Sequence, residues 1–219
     1  MARCVIVSAC PVSPALAGLL RAEDYLIACD AGYCNCKALG RQPDAAVGDF
    51  DSAPRPQTRP GEALVVLPHV KDDTDTQYAA RLAVQRGCTE ALLLGCLGGP
   101  RLEHTLANLC TGLGLEQQGV RAVLQDERSR VTFLLPGQTR TYPREDYFYL
   151  SVFPLEGRAE GVCIRGAFYE LTDAVLTAGY PLGVSNEYAP GSQAITLSVG
   201  RGALAVIETR ADAPQAPQP

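Results

Sequence analysis

The strongest constraint on this chain's fold is a change of period along it. Up to about residue 124, short continuous apolar runs alternate with segments whose apolar residues recur at helical spacing. The runs at 3–9, 25–29, 45–47, 63–67, 91–97 and 121–124 read as buried strands. The segments at 13–22, opened by a Ser-Pro cap, at 76–85 and at 103–117 read as helices. Strands apolar on both faces need cover on both. The prediction is therefore an α/β domain over 1–125, a mostly parallel sheet with helices on both faces. After residue 125 the helical stripes stop. Short alternating runs at 131–135, 146–153, 161–166, 194–199 and 203–208, broken by glycines, predict an antiparallel β-sandwich domain over 126–210. The last stretch, 211–219, is Pro-, Ala- and Gln-rich and reads as a disordered tail.

Composition excludes several function classes. A net charge of -5 with no basic stripe argues against a nucleic-acid surface. No apolar run approaches the roughly 20 residues of a membrane span, and the N-terminal apolar run is too short for a signal peptide. Nine cysteines without a CxxC and two histidines do not make a zinc cluster. Cys4, Cys29, Cys96 and Cys163 lie in apolar runs and read as reduced core residues. A soluble, cytoplasmic protein is expected.

Ligands of open α/β sheets bind beyond the carboxyl ends of the strands. Asp30, Asp49 and Lys71 each follow a strand, which places them on one rim. In Gly48-Asp49-Phe50-Asp51-Ser52, two carboxylates flank one aromatic residue. Like charges so close are costly unless a hard cation shares them. An aspartate-rich surface turn is the alternative. Lys71-Asp72-Asp73-Thr74-Asp75 opens a helix. Capping and the macrodipole explain part of that composition, but not its coincidence with the other rim carboxylates. Gly98-Gly99-Pro100-Arg101 leads a strand into a helix, where glycines, backbone N–H groups and a guanidinium suit phosphate. Neither a GxGxxG nor a Walker loop is present. His104 reads as a packing or capping residue.

As a set, in this order, these segments resemble the thiamine diphosphokinase (thiamine pyrophosphokinase) family. Asp30-Ala31-Gly32 resembles its early Asp-Gly turn. The segment from Gly166 to Leu171 resembles its glycine-aromatic segment, and Gly183-Val184-Ser185-Asn186-Glu187 its Ser-Asn motif. Two positions depart from the family pattern: Pro100 separates the glycines from Arg101, and Glu103 stands where aspartate is expected.

The resemblance implies transfer of diphosphate from ATP to the hydroxyl of thiamine, with AMP released. It implies a catalytic nucleotide domain followed by a thiamine-binding β-domain, in a homodimer with sites at the subunit interface. It implies Mg²⁺ on Asp49, Asp51 and Asp75, with Asp72 as a further ligand or the base. It assigns Asp30, Ser52, Lys71, Gly98, Gly99 and Arg101 to ATP. Tyr169, Ser185 and Asn186 go to thiamine, where an ordinary β-core tyrosine is the other reading of Tyr169. Two rival functions share the fold: a diphosphotransferase acting on another small alcohol such as a pterin, and a non-catalytic thiamine- or nucleotide-binding protein.

Overall fold

The computed structural model describes residues 3–50, 63–67 and 73–211. Four of the site residues expected above, Asp51, Ser52, Lys71 and Asp72, lie outside the described residues, as does the tail from 212 onward. The chain divides into two compact units, Met1–Glu127 and Arg128–Pro219.

The first unit is an α/β unit. Its strands are β1 (Arg3–Val7), β2 (Tyr25–Cys29), β3 (Ala45–Gly48), β4 (Ala63–Val66), β5 (Glu90–Leu94) and β6 (Arg121–Gln125). They pair in parallel in the order β6-β5-β1-β2-β3-β4. Its helices are α1 (Gly32–Ala38), α2 (Asp75–Gln85) and α3 (Leu102–Gln117). Strand alternation splits the apolar residues between two faces. Val5, Val7, Leu26, Ala28, Leu92 and Leu94 pack with Leu16, Cys36 and Leu39. The other face meets α2, whose buried Ala79, Ala80 and Ala83 allow close approach. There Cys29 Sγ donates to Asp75 O at 3.6 Å, and the Ser8 and Thr76 hydroxyls stand 2.8 Å apart. Each fully buried side chain of the size of Ile27 or Leu94 stabilises by about 2 kcal/mol.

Two local expectations change. The segment after β1 is a 3₁₀ helix, Pro14–Leu19, capped by Ser13, rather than a longer α-helix. A six-residue segment interrupted by Gly18 gains little from α-helical bonding, and short pieces favour 3₁₀ geometry. The helix α1 was not expected. It has no side-chain cap and sits where the sequence reads as a glycine turn. It forms against the end of β1, where a Cβ on Gly32 would stand 2.0 Å from Val7 O.

The second unit is a β-sandwich. One sheet runs β12 (Asn186–Glu187), β9 (Tyr149–Pro154), β14 (Leu204–Thr209), β7 (Ser129–Leu134), all antiparallel. The other runs β11 (Leu171–Thr177), β10 (Arg158–Arg165), β13 (Ala194–Ser198), β8 (Thr139–Pro143). Leu134, Leu150, Val152 and Leu204 from the first sheet share a core with Val162, Ile164, Ile195 and Leu197 from the second. The strands β8, β11 and β12 were not foreseen. β11 is half exposed, so its pattern carries little apolar contrast.

Candidate active site

In the first unit β1 is the switch point: β2, β3 and β4 lie to one side and β5 and β6 to the other. A cleft of about 640 Å³ opens there, beyond the carboxyl ends of the strands. Its walls bring together Asp30 after β2, Asp49 after β3, Asp75 at the start of α2, and Arg101 at the start of α3. The expected common rim of Asp30 and Asp49 is therefore present in the structure.

Local backbone explains why these residues stand at strand ends. Asp30 and Phe50 have φ of 48° and 54°, in the left-handed region that non-glycine residues seldom occupy. For a bulky residue such as Phe50, that conformation costs of order 1–3 kcal/mol and is typical of functional turns. Gly48 permits the approach of Asp30, whose Cα would stand 3.2 Å from a Cβ at that position.

Two helices begin at the cleft. Thr74 caps α2, its Oγ1 accepting from Gln77 N at 3.1 Å, and Asp73 pairs with Arg81. The capping reading is thus right for Thr74, and Asp73, Thr74 and Asp75 all line the cleft. Gly98 and Gly99, both at positive φ, turn the chain toward α3. Arg101 follows Pro100 and still borders the cleft. Its Nε donates to Glu103 Oε1 at 2.8 Å, and that hydrogen bond holds the Glu103 carboxyl below its usual range. Both side chains are about two-thirds exposed, so the pair is weak and exchangeable.

Several cleft residues escaped the sequence reading. His104, read as packing or capping, lines the cleft in the first turn of α3. Ser8, Ala9, Cys10 and Pro11 form the wall after β1, and Cys29, Thr76, Gly95 and Asn108 line the cleft as well. The switch-point rule, applied to the end of β1, would have found the first four. Among the described residues no three His, Cys, Asp or Glu side chains form a metal-holding group.

In the second unit, Tyr169, Ser185 and Asn186 come together. Asn186 Oδ1 accepts from Tyr169 N at 3.0 Å, and its Nδ2 donates to Tyr169 O at 2.7 Å. Ser185, at φ 56°, is held through its N–H by Ser151 Oγ at 2.9 Å. The Tyr169 ring is 67% exposed and stands edge-on to Phe168, so it is not a β-core tyrosine.

An acidic switch-point cleft on which two helix N-termini open defines an α/β enzyme of the phosphate-handling class. Comparison with known proteins gives the branch. Residues 16–124 match the family model for the thiamin pyrophosphokinase catalytic domain, and residues 140–204 that for the thiamin pyrophosphokinase vitamin B1 binding domain. The thiamine pyrophosphokinase of Bacillus subtilis (strain 168) is 26% identical over 200 residues, 90% of this chain and 92% of that protein. The crystal structure of thiamin pyrophosphokinase from Geobacillus thermodenitrificans is 26% identical with a TM-score of 0.83, covering 99% of this chain and 100% of that one. That of a thiamin pyrophosphokinase family protein from Enterococcus faecalis is 29% identical with a TM-score of 0.76, covering 96% and 100%. The chain belongs to the thiamin pyrophosphokinase family, and its activity is the family's: it transfers diphosphate from ATP to thiamine. Neither rival function is favoured.

Proposed function

We propose that the switch-point cleft binds the triphosphate of ATP, and that the Tyr169–Asn186 segment of the sandwich binds thiamine. The observation that carries this reading is the lining of the cleft. Asp49, Asp75 and Arg101 line it together, Arg101 at a helix N-terminus. A helix N-terminus offers unpaired N–H donors and a favourable dipole to phosphate. Gly98 and Gly99 are assigned to ATP on the resemblance, and Arg101 exchanges Glu103 for a phosphate oxygen. Asp30 borders the same cleft and is assigned to ATP. Ser52 and Lys71 are assigned to phosphate on the resemblance.

Asp49, Asp51 and Asp75 would hold Mg²⁺. Two of them line one cleft, and all offer the hard carboxylate oxygens that this cation takes. Bound there, it would neutralise phosphate charge and help orient the β-phosphate. The chain itself positions the reactants, which is most of the work in phosphoryl-type transfer. The thiamine oxygen bonds to the β-phosphorus as the bond to the bridging oxygen of AMP breaks. Asp72 is assigned as a further ligand or as the base that takes the hydroxyl proton. Tyr169 presents a π-face to the cationic thiazolium or the pyrimidine. Ser185 and Asn186 shape that pocket.

The working unit in this reading is a homodimer with shared sites. Phe168, Tyr169, Tyr180, Leu182 and Val184 are exposed apolar residues of the second unit, which a second copy would cover. Cytoplasmic residence fits nine cysteines carried as free thiols. No described helix is long and apolar enough to cross a membrane.

The test is AMP release from ATP, Mg²⁺ and thiamine, with and without chelator, beside a parallel reaction containing a pterin. Thiamine- and metal-dependent AMP is expected. AMP with the pterin alone overturns the substrate assignment, and AMP that survives chelation overturns the metal.

A further inference from the structure

The cleft wall after β1 has two sides. On one, the strand pairing with β5 continues past β1: Ser8 N donates to Leu94 O at 2.8 Å, and Cys10 N to Gly95 O at 3.0 Å. On the other, the carbonyls of Ser8 and Cys10 face α1. There one side chain receives both, since Asn35 Nδ2 donates to Ser8 O and to Cys10 O, each at 2.8 Å. A primary amide has two hydrogens on one nitrogen, and Asn35 spends both on this loop. The short helix α1 is brought within reach by Gly32, which packs directly beneath Val7 O. A side-chain amide also holds one carbonyl of the loop after β5. Asn108, buried in α3, donates from Nδ2 to Cys96 O at 2.7 Å, in the loop after β5.

We infer that Asn35 is a positioning residue for the nucleotide: it does not line the cleft, and its amide fixes the loop Ser8–Cys10 in the shape that forms one wall. The inference rests on the reading of this cleft as the ATP site. Peptide carbonyls withdrawn from water need donors. An aspartate of the same size supplies only acceptors. Asn35→Asp therefore opposes a carboxylate to two carbonyl oxygens and drives the loop off its position with almost no change in volume. The loop belongs to the first unit, so the substrate held by the second should be insensitive.

The experiment measures the KM for ATP and the KM for thiamine separately in Asn35→Asp, together with thermal stability. The expected result is a rise of at least about tenfold in KM for ATP with KM for thiamine within about twofold, as loss of positioning dictates. An unmoved KM for ATP beside a lowered Tm, or a parallel rise in both KM values, would mean a purely structural role and overturns the inference. Should Asn35→Asp not fold, Asn35→Ser removes at least one donor without adding charge, and the same comparison decides. Arg101→Ala is run beside it. If it raises KM for ATP and the Asn35 variants do not, the inference alone fails. If neither moves it, the cleft is not the nucleotide site, and the reading beneath the inference fails with it.

Discussion

The side-chain amide of Asn186 closes on the backbone of Tyr169, taking its N–H at 3.0 Å and giving to its carbonyl at 2.7 Å. One residue is 4% exposed and the other 67%. Asn186 is thus the buried clasp, and the Tyr169 ring is what the clasp presents.

That division separates two variants. Tyr169→Ala should weaken thiamine binding by about 1–2 kcal/mol through loss of a cation–π contact, leaving ATP binding and stability nearly unchanged. Asn186→Ala should weaken thiamine binding too, and should also cost about 2–3 kcal/mol of stability, because backbone groups lose buried partners. Thiamine calorimetry and denaturant melts read both quantities. Equal stability losses in the two variants would contradict the assignment.

Asp49→Asn should abolish turnover while the protein stays folded. The change removes one charge from the carboxylates that line the cleft, and so relieves repulsion, yet deprives a hard cation of a ligand. Circular dichroism and AMP release are the measurements, and full activity in the variant removes the metal assignment.

If sites are shared between copies, inactive Asp49→Asn protein mixed with Tyr169→Ala protein should regain activity as subunits exchange. One of the two sites in each mixed dimer then carries both native residues. Mixed dimers that form yet never exceed the average of their parents would rule out shared sites.

Acid should destabilise the first unit partly through Asp24. Burial raises the pKa of this carboxyl, but hydrogen bonds from the Arg3 guanidinium at 2.6 and 2.8 Å and from Arg21 N at 2.6 Å outweigh burial and hold it below the ordinary value. A folded-state pKa below the unfolded one contributes stability that is present above the unfolded value and lost as pH falls through the folded one. Asp24→Asn should cost about 3 kcal/mol at neutral pH, since it leaves Arg3 without its charged partner. The gap to wild type should shrink between about pH 5 and pH 2. Urea melts across that range check the sign, and a gap that widens in acid would refute it.

Thiol reactivity should follow burial. Cys34 and Cys110 are exposed and should react first in the native protein. Cys29 and Cys96 should resist, because burial pushes both thiols well above their usual pKa. Denaturant without reductant should release all nine. A denatured count short by two or more in freshly purified protein would show a disulfide.

Much of this was legible in the chain, for local reasons. The run at 25–29 is β2 to the residue, and 76–85 differs from α2 by one residue, because apolar period and a Thr cap are properties of neighbours in sequence. Asp30 and Asp49 were placed on one rim by the rule that α/β strands deliver their ligands' partners at carboxyl ends. The helix α1 was not legible. Seven residues without a cap are too few to be stable alone, and packing against β1 and β2 makes them helical. Asn35 was hidden with it.

The sequence by itself determined the alternation that gives a parallel sheet, the switch to an antiparallel sandwich, and the motifs that identify the family. Those signals are carried by spacing along one chain. Tertiary structure decided which of several similar side chains does what. It set Asn186 inside and Tyr169 outside, brought both Asp73 and Asp75 to the cleft but paired Asp73 with Arg81, and put the amide of Asn35 on the loop that Ser8 and Cys10 form. Each of those outcomes depends on what a side chain meets across 8 to 27 residues of sequence. Such contacts are fixed by where the strands and helices pack, and residue type alone does not encode that position.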